Sequence, residues 1–189
     1  MAEFAYTLEA APVLGRADVI IGKNRIVERD DLALVSIATP QDGEDALAKA
    51  LKAGWGLSQP APTISTTNGE ARAVRTAYDQ LLLIFPHATP DANALVQSKL
   101  GGAGYTTDQT DVWVVLEISG PDTLSALERL CPLDVASFPE HGSGRTVMEH
   151  MGAMAVRIAA DRFLLLSASS SARSFLHAVE TSYHYVQKD

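Results

Sequence analysis

The chain has 189 residues, 15 Lys and Arg against 23 Asp and Glu, a formal charge of −8, 47% hydrophobic residues and a single cysteine. A chain of this length buries about 70% of its unfolded surface without help from disulfides or metals, and the composition excludes wholesale disorder. The acidic balance argues against a nucleic acid or an anionic membrane surface as partner, since both select clustered Lys and Arg.

Residues 1–31 read as an N-terminal arm. Met1 to Leu14 is Ala-rich without a steady period, and Asp18 to Asp31 carries most of the local charge. Val19-Ile20-Ile21 is either a short edge strand or an anchor that docks on another surface. Met1-Ala2-Glu3-Phe4 lacks the basic-then-apolar pattern of a secretory signal, and a lone Cys131 makes no internal disulfide. Both features lead us to expect a cytoplasmic protein.

Regularity begins at Asp31. Leu32, Leu34 and Ile37 lie in a β-rich run that Thr39-Pro40 stops. Glu44 to Lys52 reads as a helix with Asp42 as its cap, and Gly54 and Gly56 end it. After a turn-rich loop over Pro60 to Gly69, Ala71-Val74-Thr76 alternates as a strand, Tyr78-Asp79-Gln80 turns, and Leu81 to Phe85 is a buried strand. That apolar run is the longest in the chain and far too short to span a bilayer. Pro90 and Asp91 open a second helix, with Leu95 and Leu100 inward, that Gly101-Gly102 closes. Residues 32–105 thus form a first α+β repeat.

Residues 106–189 repeat the order. Val112 to Ile118 is a strand, and Gly120-Pro121-Asp122 turns into a helix lined by Leu124, Leu127 and Leu130 and ended by Cys131-Pro132. Met154 to Ile158 and Phe163 to Leu166 form a hairpin, Ser167 to Ser171 supplies a cap, and Ala172 to Val186 is the last helix. The segment Ala73 to Leu83 matches Ala155 to Leu165 without gaps at an offset of 82, with seven of eleven residues identical. A generic strand-turn-strand pattern explains the shared Leu and Val but not the shared Arg75/Arg157 and Asp79/Asp161. The expected fold class is α+β, with two tandem ferredoxin-like split β-α-β-β-α-β units.

No residue set stands out as catalytic, cofactor-binding or metal-binding. His177, Glu180 and His184 are spaced to share a helix face and could hold a metal, but beside the stripe Phe175, Leu176, Val179, Tyr183 and Val186 they read as a solvated flank. Ser143, between Glu140-His141 and Glu149-His150, sits in a bare Gly142-Ser143-Gly144, which lacks the Gly-x-Ser-x-Gly of a nucleophile elbow and reads as a flexible loop. Gly101-Gly102-Ala103-Gly104 follows a helix rather than opening one, so it is a helix stop and not a phosphate cradle. Cys131 lies at a helix C-terminus, where the dipole disfavours a thiolate. Asp108, Asp111, Asp122 and Asp134 suit turns and caps. Arg145, Arg157, Arg162 and Arg173 crowd the second half, and with Trp113 they suit a partner surface at least as well as a substrate pocket.

Residues 107–180 resemble the gamma subunit of heterotetrameric sarcosine oxidase. The resemblance is carried by Thr107-Asp108-Gln109-Thr110-Asp111, Trp113-Val114-Val115-Leu116, Ser119-Gly120-Pro121, Leu127-Glu128-Arg129-Leu130-Cys131-Pro132-Leu133-Asp134, Phe138-Pro139, Arg145-Thr146, His150-Met151 and Phe163-Leu164-Leu165-Leu166. More distantly, Ser119-Gly120-Pro121-Asp122 with the later hairpin and helix is similar to the folate-binding domain of glycine-cleavage aminomethyltransferases, themselves built from duplicated ferredoxin-like pieces. The resemblance implies a non-catalytic structural subunit partnered by alpha, beta and delta subunits. In that complex sarcosine is demethylated to glycine, oxygen becomes peroxide and the methyl carbon passes to tetrahydrofolate. It further implies that FAD, FMN, NAD, tetrahydrofolate and zinc belong to the other subunits and that this chain binds none. A subunit contact is then expected at or near Trp113, Phe138, Arg145 and Arg157, with self-association of the isolated chain open. The rival expectation is a stand-alone folate-binding or one-carbon-transfer protein of aminomethyltransferase-like fold.

Overall fold

The structure is a computed structural model that describes residues 11–187. The part of the expected arm over residues 1–10 lies outside the described residues.

Two antiparallel sheets stack face to face, and each carries a pair of helices on its outer side. The first sheet contains β3 (Leu32–Ala38), β4 (Thr66–Thr67), β5 (Arg72–Ala77), β6 (Gln80–Pro86) and β7 (Tyr105–Asp108), in the order β4-β5-β6-β3-β7. Its helices are α1 (Glu44–Trp55) and α2 (Ala92–Leu100). The second sheet contains β1 (Asp18–Ile21), β2 (Asn24–Glu28), β8 (Trp113–Ser119), β9 (Ser143–Met148), β10 (Met151–Ala159) and β11 (Arg162–Ala168), in the order β1-β2-β8-β11-β10-β9. It is covered by α3 (Thr123–Leu130) and α4 (Ala172–Val186).

Strand pleat explains the three apolar layers. In β6, Leu81, Leu83 and Phe85 point at α1 and α2, while Leu82 and Ile84 point at the other sheet. In β11, Phe163 and Leu165 point at α3 and α4, while Leu164 and Leu166 point inward. Strands buried on both faces read as unbroken apolar runs, which is why Leu81–Phe85 stands out in the sequence. The interlayer cluster draws Leu32, Leu34, Val74, Leu82 and Ile84 from the first sheet and Val115, Met154, Val156, Leu164 and Leu166 from the second. Burying each such side chain contributes about 1.5–3 kcal/mol. A backbone bridge joins the halves as well: Ser65 N–H donates to His141 O and Ser143 N–H to Thr63 O, each at 2.8 Å.

Within the first half, β3-α1-β5-β6-α2-β7 is a complete split β-α-β-β-α-β unit. Among the described residues the second half supplies β8-α3-β10-β11-α4 of such a unit, and the place that β7 holds beside β3 is taken beside β8 by β2. Residues 18–28 of the expected arm are therefore a hairpin of the second sheet, consistent with Val19-Ile20-Ile21 as an edge strand. A buried carboxylate locks the chain entering this hairpin: Glu28 accepts the N–H groups of Leu14, Arg16 and Ala17 at 2.9, 2.7 and 3.2 Å. The boundary expected between 105 and 106 falls inside β7, which pairs with β3 and so belongs to the first sheet.

Two local expectations are corrected. The segment 142–144 is not a flexible loop: Ser143 is 3% exposed and opens β9. The cap position of α1 is Gly43, and Asp42 precedes it in the left-handed region at φ 57°. Helices α1 and α2 end as expected on left-handed glycines, Gly56 and Gly101.

Candidate functional site

The repeated hairpins are the clearest place to ask what the shared residues do. Both carry a bulge at the same point, between Arg75 and Ala77 and between Arg157 and Ala159. Each arginine reaches across its turn: Arg75 Nη1 donates to Tyr78 O at 3.0 Å, and Arg157 Nη2 to the equivalent Ala160 O at 2.7 Å. Each also holds a distant loop, Arg75 through Pro60 O at 3.1 Å and Arg157 through Phe138 O at 2.6 Å. The backbone carbonyls of Asp79 and Asp161 receive Thr39 N–H and Gly120 N–H, tying each hairpin to the end of the neighbouring first strand. The shared Arg and Asp positions thus brace the same bulged turn twice.

This geometry bears on the four residues expected at a subunit contact. Arg157 spends its donors on three carbonyls within the chain, those of Ala159, Phe138 and Ala160. Phe138 is half-buried against the second helical core and sits so close to Gly142 that a Cβ there would meet its ring atoms at 2.9 Å. Trp113 is half-buried beside the interlayer cluster, and its indole Nε1 is buried without a partner among the described residues. Arg145 is exposed on edge strand β9, opposite Met154. Phe138 and Arg157 come together; Trp113 and Arg145 lie on strands three positions apart in the sheet, about 14 Å at normal strand spacing.

The titratable groups tell a similar story. His177 and His184 are exposed on α4, and no three His, Cys, Asp or Glu side chains converge among the described residues. Cys131 is buried with Sγ directed at Leu127 O, and burial pushes its thiol up. Asp108 Oδ1 accepts Thr110 N–H, Asp134 accepts Ser137 N–H, and Asp122 receives the Asn24 side-chain amide at 2.9 Å just ahead of α3. Gly120 adopts φ 125°, and a Cβ there would lie 2.5 Å from Asn24 Oδ1.

Three features had no signal in the sequence because distant residues build them. Glu117 of β8 accepts guanidinium bonds from Arg29, which also grips Asp31, and from Arg162. Burial raises the Glu117 carboxyl, but the bonds from Arg162 and Arg29 outweigh it and hold the group below the usual carboxylate range. A cavity of about 440 Å³ opens between α3, α4 and the β9–β10 turn, with Leu130, Met151 and Ala178 beside Arg129, Glu149 and His177. The Arg129 guanidinium lies 4.6 Å from the centre of the Tyr185 ring. At the junction of the halves, Arg72 Nη1 donates to Ser65 Oγ at 2.6 Å and approaches His141 Nδ1 at 3.4 Å.

Among the described residues no helix is long and apolar enough to cross a membrane. No protein-family model matches the chain, and no curated protein sequence matches it. Solved structures do. A chain of heterotetrameric sarcosine oxidase from Corynebacterium sp. U-96, in complex with pyrrole 2-carboxylate, superposes with a TM-score of 0.76 at 19% identity, over 90% of this chain and 89% of that one. Glycine cleavage system aminomethyltransferase T from Bartonella henselae superposes with a TM-score of 0.58 at 13% identity, over 80% of this chain but only 44% of that one. At these identities the likeness establishes the fold: an α+β arrangement similar to part of the aminomethyltransferase.

Proposed function

We propose that the chain is a structural, non-catalytic subunit of a sarcosine oxidase-like complex, the gamma subunit of a heterotetramer. The observation that carries this reading is the reciprocal coverage. The chain matches nearly the whole length of a chain from a heterotetrameric oxidase, but less than half of an aminomethyltransferase. It matches the one nearly end to end and only part of the other. In keeping with a structural role, Arg75 and Arg157, with the backbone of Asp79 and Asp161, are committed to bracing the bulged turns of the repeat. In this reading the large alpha and beta subunits carry FAD, FMN, NAD and tetrahydrofolate, the small delta subunit carries zinc, and this chain binds none of them. Its rigid double sheet would hold a large partner in place in the cytoplasm.

The test is an affinity pull-down of the tagged chain from its native host grown on sarcosine, read by mass spectrometry. Two large flavin-bearing chains and a small one, recovered in equal amounts, are the expected result. Recovery of the chain alone while the oxidase is active would overturn it. The second reading, a folate-binding protein acting alone, draws on the likeness to aminomethyltransferase T and is separated by titrating the purified chain with tetrahydrofolate. Saturable binding would favour it.

A further inference from the structure

The internal repeat allows each residue of the first hairpin to be compared with its counterpart in the second, and one pair does not match in kind. At the same offset of 82, Arg72 corresponds to Met154. The correspondence is structural as well. Arg72 pairs across the ladder with Ile84, and Met154 pairs with Leu166, again 82 residues on. Met154, Ile84 and Leu166 all belong to the apolar layer between the sheets, and Met154 is 1% exposed. The second half therefore serves this position with a thioether. The first half puts a guanidinium there.

A guanidinium carries five donors and is stable out of water only when they are met, preferably by an anion. The other half-buried arginines are better partnered: Arg29 has two carboxylates, Arg157 bonds carbonyls through all three of its nitrogens, and Arg75 bonds carbonyls through two. Arg72 makes no ion pair among the described residues. One nitrogen serves Ser65 Oγ and leans on His141 Nδ1, while Nε and Nη2 make no hydrogen bond to the described residues. Because a guanidinium only donates, any hydrogen bond in this contact has His141 Nδ1 as the acceptor. Desolvation lowers the pKa of Arg72, in keeping with a cation that lacks its anion.

We propose that Arg72, with Ser65 and His141, forms a receiving site for a carboxylate at the junction of the two halves. The planar fork matches a carboxylate in bidentate fashion through the two nitrogens left over, and the Ser65 hydroxyl holds the fork's third nitrogen in place. Ser65 comes from the first half and His141 from the second, so the site exists only when the halves are docked, and a bound carboxylate would fasten them together. The carboxylate is either a free small acid or an Asp or Glu side chain of another subunit.

The variant that isolates this chemistry is Arg72→Met, which copies the second half's own solution and leaves the fold satisfied. In the first arm, the purified chain is unfolded by heat in sodium acetate against sodium chloride at matched ionic strength. A free carboxylate raises the wild-type Tm by about 3–5 °C at ten times its dissociation constant, and the rise vanishes in Arg72→Met. In the second arm, which rests on the complex proposed above, wild type and Arg72→Met are compared for capture of the same oxidase chains. A side-chain carboxylate gives no acetate response and at least a tenfold loss of capture in the variant. If wild type captures no oxidase chains, that complex fails and the acetate arm alone decides. A variant that melts like wild type, shows the same acetate response and captures the same chains overturns the site. So does a variant that fails to fold by circular dichroism, since Arg72 would then be a structural residue.

Discussion

Gly120→Ala probes the tightest contact in the second half. Gly120 sits at φ 125°, a backbone conformation that side-chain-bearing residues reach only under strain, which costs about 1–3 kcal/mol. The new methyl would also lie 2.5 Å from Asn24 Oδ1, 2.7 Å from Asn24 Cα and 2.8 Å from Lys23 O. Two of these are backbone atoms, and Asn24 is 1% exposed, so it has nowhere to swing. Its amide is fixed by Ile21 O at 3.2 Å, by Asp122 Oδ2 at 2.9 Å and by the Asp122 N–H it accepts at 3.0 Å. Overpacking adds about 1–3 kcal/mol and a lost hydrogen bond about 1 kcal/mol. The sum is about 3–7 kcal/mol, a large share of the 5–15 kcal/mol that is typical of domains. Urea unfolding should show a lower midpoint at unchanged slope. Gly152→Ala is the control, because nothing lies within 4 Å of its Cβ position and its change should stay within about 0.5 kcal/mol. The double variant with Asn24→Ala should cost less than the two single changes added, since both act on one contact. A Gly120→Ala protein within 1 kcal/mol of wild type, or strict additivity with Asn24→Ala, would refute the reasoning.

Glu117 is held below the usual carboxylate range in the folded chain, so it binds a proton more readily when unfolded; its contribution is present above the unfolded value and lost as pH falls through the folded one. Glu117→Gln should therefore flatten the decline of urea stability below about pH 4 and lower stability at pH 7 by about 1.5–3 kcal/mol. Tyr183 shows the opposite sign. Burial pushes its phenol up to about 12, so its contribution is complete below the ordinary tyrosine value and lost as pH rises through the folded one. Tyr183→Phe, which removes the 2.9 Å bond to Thr123 Oγ1, should cost about 1–2 kcal/mol at pH 7 and weaken the alkaline decline that urea titrations record. Arg145→Ala should leave Tm unchanged and weaken capture of partner chains; undiminished capture would remove Arg145 from the contact.

The repeat was legible because it sits in one continuous stretch of chain, and a shared arginine at a shared bulge leaves a trace in sequence. Both-face burial made β3, β6 and β11 legible for the same reason. The role of β2 was not, because Asn24-Arg25-Ile26-Val27-Glu28 is short and mixed in polarity, and its partner β8 is remote in the chain. Ser143 misled through its glycine neighbours: Gly142 and Gly144 suggest a loop, whereas they are small because the Phe138 ring and the Leu133 side chain press on them. Arg72 lies one residue before the aligned segment. Its mismatch with Met154 acquires meaning only when strand register puts both at the interlayer face.

The closing of the second sheet by β2 has a consequence for how the molecule is made. Ile26 pairs with Ile118, about 90 residues later in the chain. At ribosomal speeds of about 5–20 residues per second, the N-terminal hairpin waits on the order of ten seconds for its neighbour strand to be synthesised. During that interval the first unit, β3 to β7, has every strand it needs and can fold. Ile21 and Ile26, 4% and 1% exposed in the finished protein, stay uncovered until β8 and α4 arrive. A segment made well before its neighbours is thus among the last to be sheltered. For that time the nascent chain displays a short, sticky, unpaired ribbon to whatever chaperone or sister subunit is nearby.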